Sequence, residues 1–273
     1  MKPSLYQTLL AITLACCLLS LPPCVRADGG TGAAAPSYSA LIRDRVAKGK
    51  KGKDEVEAAL EIVGAGSPVL SASEIAARIK SNQPVIDPKA PVLVPEEVRN
   101  SLIREGDNYR RLREILKPLL QFCGLDGLVH PVLFKSELPV IGSSAPNGLM
   151  ISTRALALLS EEELRAIVAH ELCHLAVTDA FRAAVDAKDY HTLRIIELFC
   201  DAGSAAIMKA QGYDPGSPSN GLLKIWQVLE IEFGERDVKG KHPTMNTRMR
   251  LNKELCRRFS NEAQSVKRMQ AAL

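Results

Sequence analysis

The chain has 273 residues, with 46% apolar and 24% charged, enough for one good-sized domain or a compact domain with an accessory segment. Aromatic residues are only 4%, which argues against a stacking surface for single-stranded nucleic acid. The formal charge of +4 drops by two units if Lys2 and Arg26 leave with a leader, too small a bias to imply a polyanionic partner.

Residues 1–27 read as a secretory signal. Lys2 opens it, residues 8–22 are mostly apolar, and Val25-Arg26-Ala27 puts small residues at the −3 and −1 positions of a cleavage site. Export across the inner membrane to a periplasmic or extracellular location follows, with no membrane span in the mature chain. Cys16, preceded by Thr-Leu-Ala, is a poor lipid-attachment site. Residues 28–53 are rich in Gly, Ala, Ser and Lys and read as a flexible tether. The run KGKKGK at 48–53 reads as a solvated loop. Residues 54–63 and 72–80 have the pattern of short amphipathic helices, the second capped by Ser71 or Ser73. Residues 83–95 carry four prolines and read as an extended connector. Residues 28–95 thus form a tether with short helices, a candidate prosegment, ahead of a domain at 96–273.

Within that domain, residues 96–122 place Val98, Leu102, Leu112, Ile115, Leu119 and Leu120 at helical spacing. Extended segments are expected at 127–135, 138–142 and 148–153, the last two joined by turn residues Ser143 to Asn147. Ser160 and Glu163 then form a capping box, with Glu161, Glu162 and Glu163 at the positive end of the helix dipole. Further helices are expected at about 191–211, 220–233 and 244–271. The fold class is α+β, mostly helical, with a small β-sheet beside the helix that begins at Ser160.

That helix carries His170-Glu171-Leu172-Cys173-His174. Residues four apart lie one turn above each other on one helix face, so two imidazoles can share one zinc ion. Glu171, rotated by about 100° per residue, flanks the ion and suits the role of a base that takes a proton from water. A catalytic zinc site needs a third protein ligand and an open position. Glu197 is preferred over His191: it lies in an apolar segment, LRIIELFCDAGSAAIM, where a carboxylate is costly unless a cation compensates it. Asp201, one turn further, is placed to accept from the other ring nitrogen of His170.

Three blocks carry a resemblance: PNGLMISTRALALLSEEELRAIVAHELCH at 146–174, ELFCDAGSAAIMKAQGYDP at 197–215 and HPTMNTRMRLN at 242–252. Together they resemble the gluzincin metallopeptidases of the HtpX, BepA and CAAX-prenyl-endopeptidase type, metallopeptidase family forty-eight. The resemblance implies a zincin-like domain and one zinc at His170, His174 and Glu197. It also implies proteolysis with Glu171 as base, and His242 as a donor to the oxyanion, with Arg248 as its neighbour or replacement. The transmembrane helices of the HtpX and CAAX branches are missing, so the chain resembles soluble, secreted members acting on protein or peptide substrates.

An extended substrate is expected to add to an edge strand formed by Gly148, Leu149, Met150, Ile151 and Ser152. The contrasting readings are a latent zinc hydrolase and a non-catalytic, zinc-stabilised binding or chaperone-like protein, the second of which would have no use for Glu171. Cys123, Cys173, Cys200 and Cys256 follow the leader; Cys173 and Cys200, each three residues after a proposed ligand, fit buried free thiols better than a disulfide.

Overall fold

The computed structural model describes residues 36–47, 54–64, 71–144, 147–233 and 242–271. The proposed leader and the KGKKGK run lie outside them. The fold is mostly helical with one four-stranded mixed sheet.

Three helices precede the connector: α1 (Tyr38–Ala47), α2 (Glu55–Val63) and α3 (Ala72–Ser81). Asp54 caps α2 by accepting from Val56 N, and Ser71 caps α3 by accepting from Glu74 N. The expected tether is therefore corrected at 38–47. Tyr38 and Ile42 lie one turn apart, both fully buried, and their burial turns a polar-looking segment into a packed helix. The expected division at residue 95 is likewise no break in the core. Residues from Tyr38 to Phe259 belong to one hydrophobic cluster.

The expected helix over 96–122 splits into α4 (Glu96–Arg99), the short strand β1 (Leu102–Ile103) and α5 (Asp107–Cys123). Gly106, at φ 92°, turns the chain where no helix can continue. The sheet then gains β2 (His130–Phe134), β3 (Ile141–Ser144) and β4 (Gly148–Ser152) in the order β1-β2-β4-β3. β4 is parallel to β2 and antiparallel to β3, with Ser144 opposite Gly148. The expected edge strand at 148–152 is therefore internal. Every residue of β4 is buried, as suits a strand covered on both faces. The more polar β3 takes the edge instead and lies against the helix Glu161–Ala176.

Leu133, Leu149 and Ile151 point into the main core, while Phe134 and Met150 meet Val94 and Val98 on the outer face. The connector reaches that face along two clasps. Gln83 Nε2 donates to Leu172 O at 3.2 Å, and Asn147 Nδ2 donates to Ala90 O at 2.8 Å.

After the sheet come α6 (Thr153–Leu158), α7 (Glu161–Ala176), α8 (Thr178–Asp186), α9 (Tyr190–Ala210), α10 (Ser217–Phe233) and α11 (Met245–Ala271). In the expected capping box, Glu163 N donates to Ser160 Oγ at 3.2 Å and Ser160 N donates to Glu163 Oε2 at 2.9 Å. The centre of the molecule is α9, buried nearly continuously from Thr192 to Met208. It packs on α7, α2, α3 and α11. Gly203 sets the approach: a Cβ there would stand 2.6 Å from Cys173 Sγ and 2.7 Å from Ile79 Cδ1. Ser204 Oγ donates to Ala166 O at 2.6 Å and fixes the sliding register of α9 on α7.

Candidate metal centre

The α7–α9 contact brings the proposed ligands together. His170 and His174 project from one face of α7, and Glu197 meets them from α9. His170 Nε2 and His174 Nε2 are 3.3 Å apart. Each is 3.5 Å from an oxygen of Glu197, Oε2 for His170 and Oε1 for His174. Ligands on a tetrahedral ion with bonds of about 2.1 Å stand about 3.4 Å apart. The buried His170, His174 and Glu197 group can hold a metal ion.

Proton accounting supports that fit. Both Nδ1 atoms are buried without a straight hydrogen-bond partner. With the ring protons on Nδ1, as second partners of liganding histidines require, two Nε2 lone pairs and a carboxylate face one another. Three acceptors converging on one point are satisfied by a cation. Glu171, half-buried, is not among the three converging groups.

The surrounding charges favour a cation too. Asp201 Oδ1 lies 2.9 Å from His170 Nδ1 along a bent approach, so Asp201 steadies the ring as the sequence indicates. Arg248, from α11, is buried and donates through one η nitrogen to both oxygens of Asp201, at 2.6 and 2.8 Å. Its other η nitrogen donates to Glu197 Oε2 at 2.9 Å. Both η nitrogens of its guanidinium are thus committed to carboxylates, beside the proposed ligands. One guanidinium stands against these two buried carboxylates, so a cation at the three converging groups is electrostatically favoured.

A proton competes with a metal ion for the Nε2 lone pair of His170: burial alone would depress its pKa, yet bonding to Asp201 and Glu197 lifts it to about 10. Burial holds His174 down at about 4, against the pull of Glu197. Glu197 is kept well below the ordinary carboxylate range because His242 and His170 outweigh its burial.

His242 stands at the rim. Its Nδ1 is 3.5 Å from Glu197 Oε2, and its side chain is 23% exposed. The ring meets Trp226 of α10 edge-on, with centroids 6.4 Å apart. His191, the alternative ligand, is remote from the centre: it lies on the surface 3.3 Å from Glu55. Cys123, Cys173 and Cys200 are buried free thiols, and Cys256 is free and partly exposed. Burial raises both Cys173 and Cys200 well above the ordinary thiol value.

Two aromatic supports were not anticipated. Phe181 of α8 meets the His174 ring at 5.2 Å, and Tyr38 of α1 meets Phe199 of α9 at 4.7 Å. The apolar spacing Ala180, Phe181, Ala184 was the available signal for α8. Nothing local marks Tyr38, whose partner lies far along the chain.

Among family models, curated proteins and solved structures, none matches this chain.

Proposed function

We propose that this protein is a zinc-dependent endopeptidase acting on protein or peptide substrates outside the inner membrane, in envelope protein turnover. The observation that carries the reading is the convergence of His170 Nε2, His174 Nε2 and Glu197 at mutual separations of 3.3 to 3.5 Å, with a glutamate next to the first histidine on the same helix. The ligand set of two imidazoles and one carboxylate favours zinc and leaves a fourth position open, as hydrolytic sites require. No helix among the described residues is long and apolar enough to cross a membrane.

A zinc ion bound here supplies Lewis acidity toward the peptide carbonyl and acidifies water at neutral pH. The chain's own residues do the rest. Glu171 takes a proton from the attacking water as the new C–O bond forms. It then passes that proton to the amide nitrogen as the C–N bond breaks. His242, with Nδ1 turned to Glu197, presents Nε2 to the oxyanion, where a preorganised donor contributes most. Asp201 and Arg248 hold the ligands and touch no substrate. The free edge of β3, lying against α7, is the strand to which an extended substrate adds through main-chain hydrogen bonds.

The decisive experiment is Glu171→Gln. The variant should retain stoichiometric zinc and lose casein cleavage, and wild-type cleavage should vanish with a chelator and return with zinc. Full zinc with undiminished cleavage by the variant would end the peptidase reading. Zinc without any cleavage by the wild type would favour a binding protein built around a structural ion.

A further inference from the structure

α10 has two distinct faces. Gly221, Ile225 and Leu229 turn inward and are buried, with Ile167 and Glu163 closing around Gly221. Leu222, Leu223 and Trp226, spaced three and four apart, lie together on another face and are only half-buried. Trp226 meets His242, which in turn meets Glu197. The apolar face of α10 is thus continuous with the rim of the metal centre. The nearby charges of α10 are engaged elsewhere, Lys224 by Glu163 at 2.8 Å and Glu232 by Arg154 at 2.7 Å. The Trp226 indole N–H has no hydrogen-bond partner among the described residues and is not buried. A buried or bound tryptophan ordinarily has one, and this ring stands beside His242 at the candidate metal centre.

We propose that Trp226 is a specificity-determining residue: its ring is the wall that receives an apolar or aromatic substrate side chain beside the cleaved bond, and its N–H donates to the adjoining substrate carbonyl. This rests on the peptidase reading. The chemistry follows from the surroundings. A large ring flanked by Leu222 and Leu223 rewards removal of apolar surface from water and offers nothing to a charged side chain. A single donor on the same ring fixes orientation, as in sites that combine an apolar lining with few polar groups.

The chain contains one tryptophan, so its emission reports this wall alone. The test uses tryptophan-free hexapeptides differing at one position, Phe, Leu, Gly or Asp. Titrated into zinc-loaded Glu171→Gln protein, the Phe and Leu peptides should shift and saturate the emission, and the Asp peptide should not. In otherwise wild-type protein, Trp226→Ala should cut the Phe-to-Gly ratio of kcat/KM by at least about tenfold, the size of effect an apolar pocket can exert. Bound zinc should stay unchanged, and the Gly peptide should lose only the N–H contact, seen as a raised KM like that of Trp226→Phe. Trp226→Phe should keep the Phe preference while raising KM, which separates ring from donor. An unchanged Phe-to-Gly ratio in Trp226→Ala, or equal emission shifts with all four peptides, overturns the proposal. Selective shifts without any wild-type cleavage would uphold the wall and overturn the peptidase reading.

Discussion

Arg248 joins the two carboxylates of the centre, donating to both. Its removal leaves Glu197 and Asp201 buried with one less positive charge, the kind of loss that costs about 3–5 kcal/mol when one partner of a buried pair is deleted. Arg248→Met should therefore lower the midpoint of thermal unfolding and weaken zinc binding by about 10–100-fold, the range for lost supports of a metal ligand. Competition with a chromophoric chelator measures the second effect, and Arg248→Lys should recover part of it. Gly203 makes a different demand. Its missing Cβ admits Cys173 and Ile79, so Gly203→Ala should destabilise by about 1–3 kcal/mol through overpacking. The loss should shrink when Cys173→Ala is added, as denaturant unfolding of the double variant would show. The two histidines, Glu171 and Glu197 are legible from spacing and from the cost of a carboxylate in an apolar helix. Asp201 follows because it lies one turn from Glu197. The clamp by Arg248 is not legible, because nothing local says that a guanidinium on an amphipathic last helix turns inward rather than to water.

Glu163 is the element-scale counterpart. It closes the capping box of α7 and accepts from Lys224 of α10 at 2.8 Å. Burial raises its pKa, but the bonds from Lys224 and Ser160 outweigh that and hold it below its ordinary 4.5. A depressed carboxyl stabilises the fold above its unfolded pKa and loses that contribution as pH falls through the folded value. Glu163→Gln should thus cost about 1 kcal/mol at neutral pH, and the gap from wild type should close as pH drops below 4.5. Urea unfolding across that range checks the sign; a gap that widens on acidification would contradict it. The start of α7 is readable because a capping box is a local signal. The position of β4 is not. Sequence marks 148–152 as extended, but whether a strand is central or at the edge depends on what pairs with it. The burial of all five residues, against the polarity of Ile141–Ser144, is the clue in hindsight. Gly106 and Gly124, both at positive φ, end the long helix expected from 96 more sharply than its apolar spacing suggests.

At the scale of the whole molecule, the helices before the connector are part of the body that carries the candidate metal centre. α2 and α3 both pack on α9, and Tyr38 of α1 sits on Phe199 between Glu197 and Asp201. A chain beginning at residue 96 should therefore show no cooperative thermal transition, with or without zinc. Tyr38→Ala in the full chain should destabilise by about 3–5 kcal/mol, as large-to-small core changes do. Composition suggests a tether here because α1 is held by tertiary contacts rather than by its own amphipathic strength.

The same arrangement orders events in the life of the chain. Arg248 sits 74 positions after His174. A ribosome that has already released His170 and Glu197 has not yet delivered the guanidinium that steadies them. The candidate metal centre thus gains its guanidinium clamp only once the helix Met245–Ala271 has emerged, and shorter nascent chains carry the two histidines and Glu197 without it.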